Sequence, residues 1–434
     1  MLNYKNELNS YLERLFPIIR SITGDGNRET LKILQKLIPL KILEYSSGQK
    51  VYDWTIPKEW NIKNAWIKNS KGDKIVDFQI SNLHIVNYST PVHKNISLNE
   101  LKPHLHYLEN LPDAIPYRTS YYNESWGFCV TYNQYKELFS KDEDYEVFID
   151  SEIKDGSLSI GELLIKGQSR KEYLLSCYIC HPSMANDSLS GVIITAMLGR
   201  ELLKKQNSLE YSYRIIFVPE TIGAITYCAN NEKSIKKIDT GLVITTCGGL
   251  GDFGYKQSWD KDNFINSMVE DVFNENNLNF LTYPFDIHGS DERQYSSQGF
   301  KVNCTTISKD KYYEYKGYHT SLDNLDFVKP ENLNKTLDLY LQLINKMDKN
   351  ITYKNLQPNC EIMLSKHGLY PKTGGNFLPN SDLSTLDIIL WSLFYMDGTI
   401  SLYEISKKLK VDIGLVYNEA KKLEKAQIIE RINE

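Results

Sequence analysis

Residues 173–219 read YLLSCYICHPSMANDSLSGVIITAMLGRELLKKQNSLEYSYRIIFVP, and this stretch decides the fold. YLLSCYIC (173–180) and YRIIFVP (213–219) are apolar on both faces, as strands are when helices cover both sides of a sheet. Between them come a polar turn (181–190) and a helix from Gly191 to Lys205. The same alternation continues downstream with a helix at 222–230, a third strand GLVITTC (241–247), a helix from Asn263 to Asn276, a polar loop (287–299), a strand VNCTTIS and a helix from Pro330 to Lys346. Strand–helix–strand order predicts an α/β domain with a mixed, mainly parallel sheet in three layers.

Working outward, Leu8, Leu12, Leu15, Phe16 and Ile19 recur at helical spacing within residues 4–20. SITGDGNR breaks that helix, and helical spacing resumes from Glu29 to Ile38. From Val51 to Val130 short alternating runs (AWIKN, KIVDF, LHIVNYS) and turn pairs give a β-rich texture. EVFID and LSIGELLIKG read as a ribbon leading into the strand at 173. The expected organisation is an α/β domain (residues 1–48 and 139–350) interrupted by a β-rich insert (49–138), then a linker (351–380) and a terminal unit (381–434). That unit has three helical stretches and a closing hairpin, and resembles a winged helix-turn-helix. No internal repeat or low-complexity tract is present.

Composition narrows the function classes. The 434 residues are 41% apolar and 24% charged, ordinary globular usage that excludes a disordered chain. Fifty basic against 55 acidic residues leave a net charge of −5, and the terminal unit carries seven basic against nine acidic residues. Both values argue against nucleic acid as a partner, and packing or homo-oligomer formation is the favoured role for that unit. The longest apolar run, around Val192–Leu198, spans about eight residues, far below a membrane span. No export signal is visible at MLNYKNELNSYLERLF, and seven cysteines, an odd number, fit reduced thiols, so a cytoplasmic location is expected. Thirty tyrosines, in a chain rich in Asn, Lys and Ile, fit composition bias as well as a sugar-binding surface.

Ligands of open α/β sheets gather beyond the C-terminal ends of the strands. Three such ends carry polar groups: CHPSMANDSLSG (180–191), PETIG (219–223) and YHTSLDNLD (318–326). Two histidines and a carboxylate meeting on one rim are what a tetrahedral Zn²⁺ with an open position needs, and Glu220 would take a proton from water that the cation acidifies. Each residue also has a plainer reading, since Asp187 or Glu220 would serve equally to cap the following helix.

The same motifs resemble those of zinc-dependent aminopeptidases and glutaminyl cyclases: AND-S-LSG is similar to their NDNASG signature, FVPETIG to their acidic turn, and YHTSLDNLD to their late histidine motif. With the insert and winged helix, the layout looks like a bacterial aminopeptidase-like family whose relatives are associated with polysaccharide biosynthesis. The resemblance implies a zinc aminopeptidase-like fold, His181, Asp187 and His319 as metal ligands, and Glu220 as general base. It also shows two departures. Thr221 stands where a second acid is usual, and no carboxylate occurs near Thr246-Cys247-Gly248. One Zn²⁺ is therefore expected rather than two, with ligation by Glu220, or by Cys247 as a soft ligand, as alternatives.

In the polar loop DIHGSDERQY, Arg293 would pair a substrate carboxylate, and Asp291 or Glu292 a free amine; an internal ion pair is the competing reading. Cys177 and Cys180 should point to opposite faces as core thiols. His104 and His106 read as surface residues, His288 carries no assignment, and PDAIPYRTSYYNESWGF (112–128) would either line a cleft or fill the insert's core. The expected activity is zinc-dependent amide hydrolysis on a short peptide or amino-acid-like small molecule. The alternative is a non-catalytic binding protein with a degenerate metal site.

Overall fold

The computed structural model describes residues 3–370 and 383–432. Eight strands form the central sheet: β1 (Lys41–Ser46), β2 (Ser157–Ile165), β3 (Glu172–Tyr178), β4 (Ser212–Val218), β5 (Thr240–Val243), β6 (Phe253–Lys256), β7 (Phe280–Tyr283) and β8 (Asn303–Lys309). Their spatial order is β1-β2-β4-β3-β5-β8-β6-β7. β3 pairs in parallel with both β4 and β5, and β5 with β8. β1 and β2 add an antiparallel edge. The mixed, mainly parallel α/β sheet expected from the sequence is present.

Period-two alternation divides the central strands between two cores. Tyr173, Leu175 and Cys177 of β3, with Ile215 and Phe217 of β4, pack with helices α1 (Lys5–Leu15), α3 (Gly191–Lys204), α5 (Phe264–Glu275) and α6 (Pro330–Asp348). Leu174 and Tyr178, with Ile216 and Val218, pack on the opposite face with α4 (Ile222–Asn230) and with side chains of the insert. Cys177 and Cys180 fall in different cores, both buried as free thiols.

Local chemistry moves some boundaries. α1 stops at Leu15, two residues before Pro17, so Phe16 and Ile19 lie outside it. α2 (Asp25–Leu34) starts before Glu29 because Gly24, at φ 101°, turns the chain where a Cβ would stand 2.3 Å from the Trp60 carbonyl oxygen. The insert's antiparallel sheet runs Lys74–Asp77, Glu59–Lys68, Asp144–Lys154, Val92–Ser97. EVFID thus belongs to the insert's sheet and not to a ribbon entering the main one.

The terminal unit has α7 (Thr385–Tyr395), α8 (Leu402–Leu409) and α9 (Ile413–Lys425). Part of the expected linker is structured: Thr352–Asn355 is the central strand between Asp397–Ser401 and Ile429–Arg431. The closing segment pairs there instead of forming its own hairpin. Linker residues 371–380 and the first two of the terminal unit lie outside the described residues. Tyr403 and Lys407 bond Asp271 of the body, and Tyr417 and Arg431 bond Glu210, so part of this unit's polar surface is committed to packing. Among the described residues no helix is long and apolar enough to cross a membrane.

Candidate metal centre

Three strand ends build the rim. β3 ends at Tyr178, and His181 follows three residues on. The 185–190 turn then presents Asp187 before α3 begins at Gly191, where a Cβ would meet the Ile244 carbonyl oxygen at 2.1 Å, so only glycine lets helix and strand approach this closely. β4 ends at Val218, and Glu220 and Thr221 precede α4. His319 arrives on the loop between β8 and α6.

The donor atoms of His181, Asp187 and His319 all lie within 4.8 Å of one another. Asp187 Oδ2 and His319 Nε2 are 3.0 Å apart, yet neither makes a well-directed hydrogen bond, to the other or to anything else. A buried oxygen and a ring nitrogen left so close without bonding each other fit a shared electrophile, since two donors on a tetrahedral Zn²⁺ lie roughly 3.3 Å apart. Burial pushes the His181 imidazolium down to about 4, Asp187 opposing, so the ring is neutral at pH 7 as a ligand must be. Burial would raise Asp187, but the two histidines in their protonated forms and the Tyr178 hydroxyl outweigh it, so its carboxyl lies below the usual value. A second group, Cys180, His181 and Glu220, also meets a metal-ligand spacing.

Asp187 and His181 have buried support. Tyr178 donates to Asp187 Oδ1 and lies 2.7 Å from Thr245 Oγ1. Asp323 accepts the backbone N–H groups of Asn186 (2.6 Å) and Asp187 (2.9 Å) and the Tyr315 hydroxyl (2.8 Å), which fixes the turn that aims Asp187. Burial pushes Asp323 up to about 7. Arg20, buried, donates from Nε to the His181 carbonyl oxygen at 3.0 Å. Cys180 Sγ accepts the Glu220 N–H at 3.2 Å and contacts His181 Nδ1 at 3.4 Å, linking first ligand and base.

Glu220 Oε2 lies 3.8 Å from His181 Nε2, and the side chain is 27% exposed, open to the rim. Burial, then the Asp187 charge, raises its carboxyl to about 7, while the Ser290 hydroxyl, donating at 2.9 Å, holds it down. Thr221 sits at φ 63°, ψ −78°, with the Ile222 N–H bonded to the Glu220 carbonyl at 2.8 Å. This is the less common, strained hand of γ-turn, and non-glycine strain of this kind clusters at functional sites. Asp291 Oδ1 secures it by accepting the Thr221 N–H at 2.7 Å.

The loop residues expected to bind substrate divide in two. Asp291 is 0% exposed, and burial drives its carboxyl well above the usual range. Glu292 is 1% exposed and pairs with buried Lys256 at 2.9 Å and with Tyr312 at 2.9 Å. Both carboxyl groups are enclosed by the loop's own framework, each with one buried oxygen left without a hydrogen-bond partner. Arg293 is half-buried and reaches Thr221 Oγ1 at 3.2 Å. Cys247, expected as an alternative ligand, is core: its thiol contacts the Thr245 carbonyl and lies outside both ligand groups.

The insert closes one side of this rim within the same chain. The Tyr117 N–H bonds the His319 carbonyl (2.8 Å), the Ser321 N–H bonds the Ile115 carbonyl (2.9 Å), and the Tyr117 ring centroid lies 5.3 Å from those of His181 and His319. The 112–128 stretch thus supplies a wall of the site. His104 stacks on Trp126 at 3.6 Å rather than standing free on the surface, and His288 is exposed. Clefts of about 760 and 680 Å³ lie elsewhere, around Lys166–Glu172 and between body and terminal unit, so the donor set, not concavity, locates the chemistry. Asp323 was within a quoted motif, and its role was readable as a ligand-supporting acid. Arg20, Cys180, Ser290 and Tyr117 act through backbone or cross-domain contacts that leave no local pattern.

An α/β sheet of this topology with such a rim is the zinc aminopeptidase-like fold: the chain superposes on a zinc aminopeptidase from Bacillus subtilis with a TM-score of 0.57, covering 79% of this chain and 95% of that one at 10% identity. The chain belongs to the DUF4910 family, described as a domain of unknown function, which it matches over residues 9–350, and residues 351–431 match a winged helix-turn-helix family. It is 44% identical over 427 residues, 98% of this chain and 96% of the other, to a Clostridium acetobutylicum protein described as a candidate polysaccharide biosynthesis protein with an aminopeptidase-like domain. A crystal structure of a candidate peptidase from the same organism matches with a TM-score of 0.86 and 42% identity, over 99% of this chain and 96% of that one. Fold and relatives together support a peptidase-like hydrolase.

Proposed function

We propose that the protein is a zinc-dependent amide hydrolase, with His181, Asp187 and His319 holding one Zn²⁺ and Glu220 acting as general base and then general acid. The observation that carries this reading is the pair of unbonded donors, Asp187 Oδ2 and His319 Nε2, 3.0 Å apart beside His181 and a carboxyl near neutral pKa. When bound, the cation supplies Lewis acidity, polarising a carbonyl and acidifying water. Glu220 takes a proton from the attacking water as its oxygen bonds to the amide carbon. The C–N bond then breaks as Glu220 returns that proton to the leaving nitrogen. Ser290 fixes the carboxyl for both transfers, and a group that titrates near 7 can do both. Tyr117 shields one side of the site from bulk water.

The substrate is a short peptide or an amino-acid-like amide. The name of the C. acetobutylicum relative favours an amide carried on a saccharide-related small molecule. Arg293, whose Nη2 reaches Thr221 Oγ1 beside Glu220, would meet an anionic or carbonyl oxygen of that substrate. A panel of aminoacyl p-nitroanilides and N-acylated amino sugars, assayed with Glu220→Gln, tests the assignment. Expected is a loss of kcat on the order of 10²–10⁴-fold with zinc content unchanged. Undiminished turnover in this variant contradicts the base assignment.

A further inference from the structure

We propose that the Arg293 guanidinium stands in for a second cation, so that the centre holds a single zinc ion and uses this fixed charge on the oxygen that becomes negative during hydrolysis. This deepens the hydrolase reading above and rests on it. Thr221, beside Glu220, carries a neutral hydroxyl, which does not offset the charge of a divalent ion, and its Oγ1 already accepts from Arg293 Nη2 at 3.2 Å. Among the described residues, no carboxylate forms an ion pair with Arg293, and its buried Nε–H has no acceptor. Glu220 and Asp291 are near enough to feel its charge but do not close on it as ion pairs, which leaves the guanidinium capacity for a further anionic oxygen.

The same loop orients it. Ser290 bonds Glu220, Asp291 bonds the Thr221 N–H, and Arg293 bonds the Thr221 hydroxyl, so residues 290–293 grip the base-bearing turn at three points. Lys256 anchors the loop from beneath through Glu292 and the Asp286 and His288 carbonyls. The arrangement puts one positive charge beside Glu220 and repels a divalent cation from Thr221. The Arg293 fork can give two parallel hydrogen bonds to one anionic group.

Zinc counting tests this without any substrate. Full-length protein and its Arg293→Glu and Arg293→Gln variants are saturated with zinc and freed of excess by gel filtration. Zinc per chain is then measured by plasma mass spectrometry, with a thermal melt to confirm folding. Expected are one zinc in the wild type and two in Arg293→Glu. In Arg293→Gln, competition with a chelating dye should show the second zinc bound at least tenfold tighter than in wild type. If Arg293→Glu does not fold, Arg293→Gln decides. Two zinc ions in the wild type, or folded variants that bind a second ion no better than wild type, overturn the proposal alone. A wild-type count of zero overturns it together with the hydrolase reading.

Discussion

The two sides of the rim are built differently. On the His181–Asp187–His319 side two donors are backed by buried groups of the body, Tyr178 and Asp323 for Asp187 and Arg20 and Cys180 for His181, and the insert's Tyr117 N–H holds the His319 carbonyl. On the Glu220–Thr221 side the support reaches across from residues 290–293, and a strained turn replaces a second acid. The first side reads as a site for binding a cation, the second as a site for moving a proton beside a fixed charge. The two should therefore fail separately.

The largest effect belongs to the first side. His319→Ala removes a proposed ligand whose Nε2 lies 3.0 Å from Asp187 Oδ2, and the variant should lose stoichiometric zinc in the same count, while Glu220→Gln keeps it. Loss of zinc in both variants would erase the distinction. Asp323→Asn is next. It weakens the acceptor that aims the 186–187 backbone, and outer-shell changes of this kind cost about 10–100-fold in metal affinity. An unchanged zinc affinity would show that the turn holds without it.

A smaller effect concerns metal-free stability. Because burial lowers His181 to about 4, the folded state binds fewer protons than the unfolded chain between pH 4 and 6.5, and stability from this group rises with pH. Glu220, raised to about 7, binds more protons when folded between pH 4.5 and 7, so its contribution falls as pH rises. Over the shared window the two oppose each other. Asp323, raised to about 7, acts in the same direction as Glu220, so the difference between the two proteins is the test: from pH 4.5 to 6.5 the stability of metal-free Glu220→Gln relative to metal-free wild type should rise by about 2 kcal/mol in urea melts. A difference that does not change with pH would deny that the site raises Glu220.

The sheet was legible because the strands at 173–180 and 213–219 are apolar on both faces, a pattern that buried parallel strands require. The donors were legible because they end those strands. What was hidden has a common physical cause. Thr352–Asn355 is a four-residue strand with no apolar run to announce it, and it exists only because two segments some forty and eighty residues away flank it. Residues 144–154 alternate as any half-buried strand does, and alternation does not say which sheet receives them. Asp291 and Glu292 read as substrate ligands because sequence shows charge but not burial; Lys256, 36 residues upstream, pairs with Glu292 out of reach of any motif.

A zinc-soaked crystal of the full chain, measured at the zinc absorption edge, asks whether three particular side chains share one cation. One anomalous peak in contact with His181, Asp187 and His319 is expected. A peak held instead by Cys180 and Glu220, or no peak at this rim, would contradict the shared site.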